Sequence, residues 1–163
     1  RVDRRSLKLE DLIVVHHGKC PQGVQPSRAV ELHRAIYDTH PEMQAVINAL
    51  PVNATAFSIS NAVLDTRTIP ESYLFLKDVP CIAYRDVLGN PAKAAQAVGP
   101  NNPVALLEHN GALVAGKSVL DAFDRLEVLE ATAEAIIQSK ALGPISPMGD
   151  EVIQELVDAF GQV

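Results

Sequence analysis

The sequence predicts an α/β fold of three layers, in which a mostly antiparallel sheet carries helices on both faces. The first observation is the stretch Val104 to Ile137, where two short apolar runs flank His109-Asn110-Gly111 and a long amphipathic segment follows. Apolar runs of this length are typical of covered strands, and a glycine between them indicates a hairpin turn. The second observation is a set of proline-rich connections, which leave little room for the repeated right-handed crossovers of a parallel sheet. At 163 residues we expect one domain, residues 1–163.

The first half of the chain alternates strand and helix signals. The β-branched run Leu9–Val15 predicts a strand that His16-His17 close, and Pro26-Ser27 predicts the start of a helix that ends before Pro41. Met43–Asn48 is typical of a second strand, and Val52–Ser58 of the short helix after it.

The second half gives clearer boundaries, because several helix caps can be read directly. The predicted elements are a helix over Ile69–Lys77, a strand over Val79–Tyr84, a helix over Pro91–Val98 that Asn90 caps, and the hairpin of Val104–Ala115. A long helix then begins at Ser118 and Asp121. A last helix is predicted over 149–160, and its inward-facing residues are Val152, Ile153, Leu156, Val157 and Phe160.

Composition excludes several classes of function. A net charge of −6 without a basic cluster beyond Arg1, Arg4 and Arg5 argues against nucleic acid as a partner. No apolar run approaches the roughly 20 residues that span a bilayer, so we expect no membrane partner and a cytoplasmic location. Cys20 and Cys81 lack metal-ligand spacing and are expected to be reduced thiols.

Three stretches together resemble the class II aldolase/adducin family, which includes the fuculose-phosphate and rhamnulose-phosphate aldolases. They are the helix that begins at Pro26-Ser27, the strand Ala45-Val46-Ile47 followed by Ala54-Thr55-Ala56, and the hairpin with its long helix. The resemblance covers about residues 7–143. It implies a three-layer fold like that of the class II aldolases, and it implies that the N-terminal part of the family domain, with its phosphate-binding segment, is missing here.

The resemblance also implies where a catalytic centre would lie. The family glutamate falls on Ala29, and the three family histidines that bind zinc fall on Asn48, Leu50 and Asn110. A methyl group cannot act as a general acid or base, an amide is a poor zinc ligand, and leucine is none. No cofactor is therefore predicted, and zinc is the alternative.

The resemblance leads to a main hypothesis and two alternatives. The first hypothesis is a non-catalytic ligand-binding or assembly module, a homo-oligomer and most simply a tetramer, with a candidate pocket formed by Ser27, His33, Asn48, His109 and Asn110. The second is a divalent-metal-dependent aldehyde-lyase that acts on a sugar phosphate or related hydroxy-carbonyl compound, with unusual ligands among Glu108, His109 and His33. The third is a different enzyme that reuses the pocket without a metal.

Other polar residues have simpler interpretations. Glu127, Glu130 and Glu134 form an acidic stripe, which predicts a solvated helix face more readily than a divalent-cation site. His33 lies on the apolar side of its helix and is expected to form a hydrogen bond with a neighbour. His109 and Asn110 are also explained by the chemistry of a turn.

Overall fold

The chain divides into two compact units, Arg1–Val30 and Glu31–Val163, and the structure, a computed structural model, describes residues 4–161 of it. The expectation of one domain stays a prediction. Among the described residues, no helix combines the length and the apolar character needed to cross a membrane.

The first unit contains two turns of 3₁₀ helix, Arg4–Ser6 and Leu9–Asp11, and a tight turn in which His16 and Lys19 pair. The predicted strand over Leu9–Val15 is therefore wrong. A β-branched run becomes a strand only where a neighbouring strand supplies hydrogen-bond partners, and here the Asp11 carboxylate instead accepts from the main-chain N–H of Lys8 at 2.9 Å.

The second unit contains the sheet and its helices. In chain order the elements are α1 (Val30–Thr39), β1 (Ala45–Ala49), α2 (Val52–Ser58), α3 (Pro70–Leu76), β2 (Cys81–Ile82), α4 (Tyr84–Gly89), α5 (Pro91–Ala97), β3 (Val104–Leu107), β4 (Gly111–Gly116), α6 (Val119–Ser139) and α7 (Asp150–Phe160). A further 3₁₀ turn spans Thr66–Thr68.

The sheet has the order β1-β4-β3-β2 and is mostly antiparallel, as predicted. β4 pairs antiparallel with both β1 and β3, and β2 runs parallel to β3 at the edge. Because neighbouring residues of a strand point to opposite faces, β4 divides its side chains between two cores. Ala112 and Val114 pack with residues of α2, α3 and α6, whereas Leu113 and Ala115 pack with residues of α1, α4 and α5. The three-layer prediction is confirmed.

The predicted caps of α6 and α5 are present. Ser118 Oγ accepts from the N–H of Asp121 at 3.0 Å, and the Asp121 carboxylate reaches back to the N–H of Lys117 at 2.8 Å. Asn90 Oδ1 accepts from the N–H of Lys93 at the start of α5. These side chains satisfy main-chain donors that the first turn of a helix leaves unpaired.

Four elements differ from what the sequence predicts. β2 has two residues, because the chain turns into α4 at Tyr84, and α4 is a helix that the apolar pattern did not indicate. α1 begins at Val30, later than the predicted start at Pro26. The five residues expected to face inward on α7 are not buried: Ile153 and Leu156 are half-buried, and Val152, Val157 and Phe160 are exposed.

The acidic stripe of α6 is not uniformly solvated. Glu127 and Glu134 are exposed, as expected, but Glu130 is half-buried and binds the start of α2. Its carboxylate accepts from the N–H of Asn53 at 2.8 Å and from the N–H of Ala54 at 2.9 Å. The prediction of a solvated face is therefore wrong for Glu130, which caps α2 from a different helix.

Candidate active site at the end of the sheet

The end of β1 lies against the turn between β3 and β4. In the β1–β4 ladder Asn48 is opposite Leu113 and Ala49 is opposite Ala112, so the chain leaves β1 beside Gly111. A Cβ atom on Gly111 would lie 2.3 Å from Ala49 O and 2.9 Å from Leu50 Cδ2. The residues at positions 48, 50 and 109–111 are therefore brought to one end of the sheet.

The turn requires unusual backbone geometry and is held by α2. His109 has a φ of 57° and Gly111 a φ of 85°, in the left-handed region that favours glycine. Ser58, buried at the last residue of α2, accepts from both sides of the turn: its carbonyl from the N–H of His109 at 3.0 Å, and its Oγ from the N–H of Gly111 at 3.3 Å. The side chains of His109 and Asn110 remain exposed. Sequence reasoning missed Ser58, because a serine at the end of an apolar helix carries no signal of a contact 53 residues away.

His33 of α1 reaches Asn48 of β1 on the α1 face of the sheet. The distance between His33 Nε2 and Asn48 Oδ1 is 2.7 Å. Because an amide oxygen can only accept, the imidazole carries its proton on Nε2 and donates. Burial lowers the pKa of His33 below its ordinary value, although the hydrogen bond to Asn48 opposes this shift. The expectation that His33 bonds to a neighbour is confirmed, and the pair is neutral at pH 7.

Glu108 lies on the opposite face from this pair. Its carboxylate Oε2 accepts from the N–H of Tyr84 at 2.7 Å. Glu108 borders a cavity together with Phe57 of α2 and with Leu106, which belongs to the core cluster on the α2 side of the sheet. Glu108 and His33 therefore do not converge on one point. Within residues 4–161, no three or more His, Cys, Asp or Glu side chains are placed to hold a metal ion together.

The remaining predicted residues have the following environments. Leu50 is 70% exposed. Ser27 and Ala29 belong to the first unit, where Ser27 Oγ accepts from the N–H of Ala29 at 3.2 Å. Cys20 and Cys81 are free thiols, as expected.

The family can now be identified. Residues 1–137 match the model of the class II aldolase and adducin N-terminal domain, which is most of the chain. The chain belongs to this family. The predicted resemblance to the class II aldolase/adducin family is thereby confirmed.

Two relatives in the class II aldolase and adducin family have equal identity to this chain. The L-fuculose phosphate aldolase of Methanococcus vannielii is 31% identical over 129 residues, which cover 78% of this chain and 70% of the aldolase. The 3-oxo-tetronate 4-phosphate decarboxylase of Cupriavidus necator is 31% identical over 156 residues, which cover 90% of this chain and 71% of the decarboxylase. Both relatives are named as enzymes, so they give no support to the inclination towards a non-enzyme.

Solved structures agree with the fold. YgbL of Klebsiella pneumoniae superimposes with a TM-score of 0.80 at 28% identity, covering 93% of this chain and 75% of YgbL. An L-fuculose 1-phosphate aldolase superimposes with a TM-score of 0.79 at 23% identity, covering 98% of this chain and 76% of the aldolase. At 23% identity, the comparison with this aldolase supports the fold alone.

Proposed function

We propose that this domain is a carbon–carbon lyase that decarboxylates a phosphorylated 3-oxo sugar acid. Both relatives named above break a carbon–carbon bond in a phosphorylated compound, and the alignment with the decarboxylase extends over more of this chain than the alignment with the aldolase. This supports an enzyme of the lyase class, and the choice between the two reactions depends on the chemistry of the site.

The residues at the positions that the family resemblance assigns to zinc do not fit a zinc ion. Asn48 and Asn110 have amide side chains, which are poor zinc ligands, and the side chain of Leu50 has no ligand atom. Catalytic zinc, by contrast, takes three ligands from His, Cys or carboxylate side chains. Aldol cleavage produces an enediolate that the family stabilises with its metal. The proposed reaction therefore has no metal-assisted step and is the lyase reaction that needs the least electrophilic assistance.

Decarboxylation of a 3-oxo acid needs less electrophilic assistance than aldol cleavage does. The bond between the carboxylate carbon and C2 breaks, carbon dioxide leaves, and the electron pair moves into the adjacent ketone to form an enolate. A proton from solvent then completes the product. The negative charge develops on one ketone oxygen, where fixed hydrogen-bond donors stabilise the transition state.

The pair of His33 and Asn48 carries the proposal. Because the imidazole N–H donates to Asn48 Oδ1, the amide is fixed with its Nδ2 hydrogens directed away from the ring. Burial keeps His33 neutral, so the donor that Asn48 presents stays in one orientation at pH 7. We assign Asn48 as the donor to the ketone oxygen and His33 as its positioning residue.

The test is release of carbon dioxide from 3-oxo-tetronate 4-phosphate, with and without EDTA. We expect turnover that EDTA does not affect, and a loss of about 100-fold in kcat for Asn48→Leu, which is the usual effect of removing one oxyanion donor. His33→Gln should lower kcat less, because a glutamine N–H can also donate to Asn48. Cleavage of L-fuculose 1-phosphate that EDTA abolishes would instead support the metal-dependent aldolase.

A non-catalytic ligand-binding or assembly module is the second candidate. It is favoured by Ala29, which offers no acid or base at the position where the resemblance expects the family glutamate. Calorimetric binding of 3-oxo-tetronate 4-phosphate, without release of carbon dioxide over hours, would support this candidate over the lyase.

Metal content tests the assignment of positions directly. The purified protein should hold less than about 0.1 equivalents of zinc, and Asn48→His, Leu50→His and Asn110→His combined with Ala29→Glu should create zinc binding. The support from the structure is that Leu50 lies beside Gly111, the residue that follows position 110. About one tightly bound zinc in the unmodified protein would contradict the ligand assignment.

We also propose a homo-oligomer, most simply a tetramer. The support is exposed apolar surface, including 57% of Phe160 and 92% of Leu142. Light scattering at micromolar concentration should give a multiple of 17.5 kDa, and a monomer mass would refute the proposal. The cytoplasmic location stays a prediction.

A further inference from the structure

A cavity of about 510 Å³ lies on the α2 face of the sheet, opposite the His33–Asn48 pair. It opens between residues 59–64 and the end of β2 and β3. Its floor is apolar, formed by Phe57, Leu64 and Leu106 of the core on that face. The volume is within the range of cavities that hold small ligands.

Three polar side chains with unused hydrogen-bonding groups border this cavity. Glu108 uses Oε2 to accept from Tyr84, and its Oε1 has no hydrogen-bond partner among residues 4–161. The amide of Asn61 and the imidazole of His109 likewise have no partner within the described residues. An apolar floor with a few convergent polar groups is the usual composition of a small-molecule site.

The charges at the cavity decide which ligands it suits. Among the described residues that line the cavity, Glu108 is the one carboxylate, and none is a lysine or an arginine. Burial and the Glu108 carboxylate raise the pKa of the Cys81 thiol, so the thiol is neutral and adds no second charge. A phosphate or carboxylate would meet the Glu108 carboxylate without a compensating cation, so an anionic ligand is disfavoured.

We propose that this cavity binds a small uncharged polyhydroxy compound, such as a free sugar. Hydroxyl groups of the ligand donate to Glu108 Oε1 and accept from the Asn61 amide, while its C–H surface packs on Phe57 and Leu106. The site is distinct from the proposed lyase centre in its position on the sheet and in the charge of its ligand, and it does not depend on the lyase reaction.

The experiment compares D-ribose with D-ribose 5-phosphate in ¹H–¹⁵N spectra of the whole chain. We expect D-ribose to shift the amide signals of Ala62 and Ala83, which line the cavity, with saturation at about millimolar concentration. D-ribose 5-phosphate should affect these two signals at least about tenfold more weakly, because of its charge. If D-ribose shifts the signals of Asn48 and not those of Ala62 and Ala83, it binds at the proposed lyase centre, and the cavity proposal is wrong.

Two variants and a control complete the test. Ala62→Trp should abolish the response, because Ala62 is exposed and a large ring there fills the cavity entrance without disturbing the core. Glu108→Gln retains an oxygen for Tyr84 and should weaken D-ribose binding about fivefold through loss of a charge-assisted hydrogen bond. Glu127→Gln, on α6, should leave it unchanged. Three results would each overturn the proposal: equal or tighter binding of D-ribose 5-phosphate, no saturation with D-ribose, or stronger binding of ethanolamine, which is a cation at neutral pH.

Discussion

Substitution of Glu130 by alanine should destabilise the protein much more than substitution of its exposed neighbours on α6. The two oxygens of Glu130 accept from the N–H of Asn53 at 2.8 and 3.1 Å, from its Nδ2 at 2.9 Å, and from the N–H of Ala54 at 2.9 Å. The carboxylate thus takes the place of an N-cap residue, because α2 is preceded by Pro51, whose side chain cannot accept.

The magnitude follows from what each donor loses. Ala54 is fully buried, so its N–H cannot turn to water, and an unpaired buried donor costs about 1–3 kcal/mol. Asn53 is half-buried and can be partly hydrated, so its loss resembles that of an ordinary N-cap, about 1 kcal/mol. Glu130→Ala should therefore lower the free energy of unfolding by about 2–4 kcal/mol in total. At this chain length that lowers Tm by roughly 4–16 °C.

Urea and thermal unfolding followed by circular dichroism measure this difference. The control is Glu127→Ala, an exposed residue of the same stripe, for which we expect a change within about 0.5 kcal/mol. Glu130→Gln keeps one acceptor oxygen and should fall between the two. Equal stability of Glu130→Ala and Glu127→Ala would refute the capping role. Stabilisation of the unsubstituted protein, but not of Glu130→Ala, by millimolar Mg²⁺ or Ca²⁺ would instead support the cation-site alternative.

Three further predictions concern the residues around the site. Gly111→Ala should lower the free energy of unfolding in urea by at least about 3 kcal/mol, because the φ of Gly111 is 85° and a Cβ would lie 2.3 Å from Ala49 O. The control is Gly89→Ala, where a Cβ would meet open space. Equal losses of stability in the two variants would contradict the argument. His33 has a lowered pKa in the folded state, so the unfolded state binds its proton first as the pH falls below about 6.5, and stability decreases until the folded pKa is passed. The free energy of unfolding should therefore decrease less in His33→Gln than in the unsubstituted protein between pH 7.5 and 5. Parallel plots of this free energy against pH would show that His33 does not cause the loss of stability. Ser58→Ala should speed hydrogen exchange of the Gly111 amide by about tenfold, and an unchanged rate would remove Ser58 from the support of the turn.

Local signals predicted much of the second unit. The Ser118 cap, the glycine of the hairpin and the apolar spacing of the long helix each act within a few residues, so the sequence alone indicates them. The predicted helix over Val52–Ser58 has the bounds of α2. The run Leu9–Val15 failed because a strand depends on a partner elsewhere in the chain, and its composition says nothing of whether that partner exists. α4 was missed because six residues are too few for a helical period to be recognised.

The proximity of the end of β1 to the hairpin turn was predictable, but the contacts of these residues were not. Alternate residues at the end of β1 and the turn before β4 were placed together through the family resemblance, and the β1–β4 register places them at one end of the sheet. The pairing of His33 with Asn48 joins a helix to a strand 15 residues away. The contact of Glu130 with Asn53 spans 77 residues. Interactions of this kind depend on how packed elements are aligned, which spacing along the chain does not encode.

The support of the turn and the support of Asn48 come from opposite faces of the sheet. α2 is capped at its start by Glu130 and holds the turn at its end through Ser58, on the α6 side. Asn48 is held by His33 from α1, on the other side. We therefore expect a perturbation of α2 to affect the turn more than the amide, and loss of His33 to affect the amide more than the turn. Every residue of β3 and β4, which lie between the two supports, is buried. A lyase built on Asn48 should accordingly tolerate changes in α2 that alter the geometry of the turn, whereas a metal centre that required positions 48, 50 and 110 together would not.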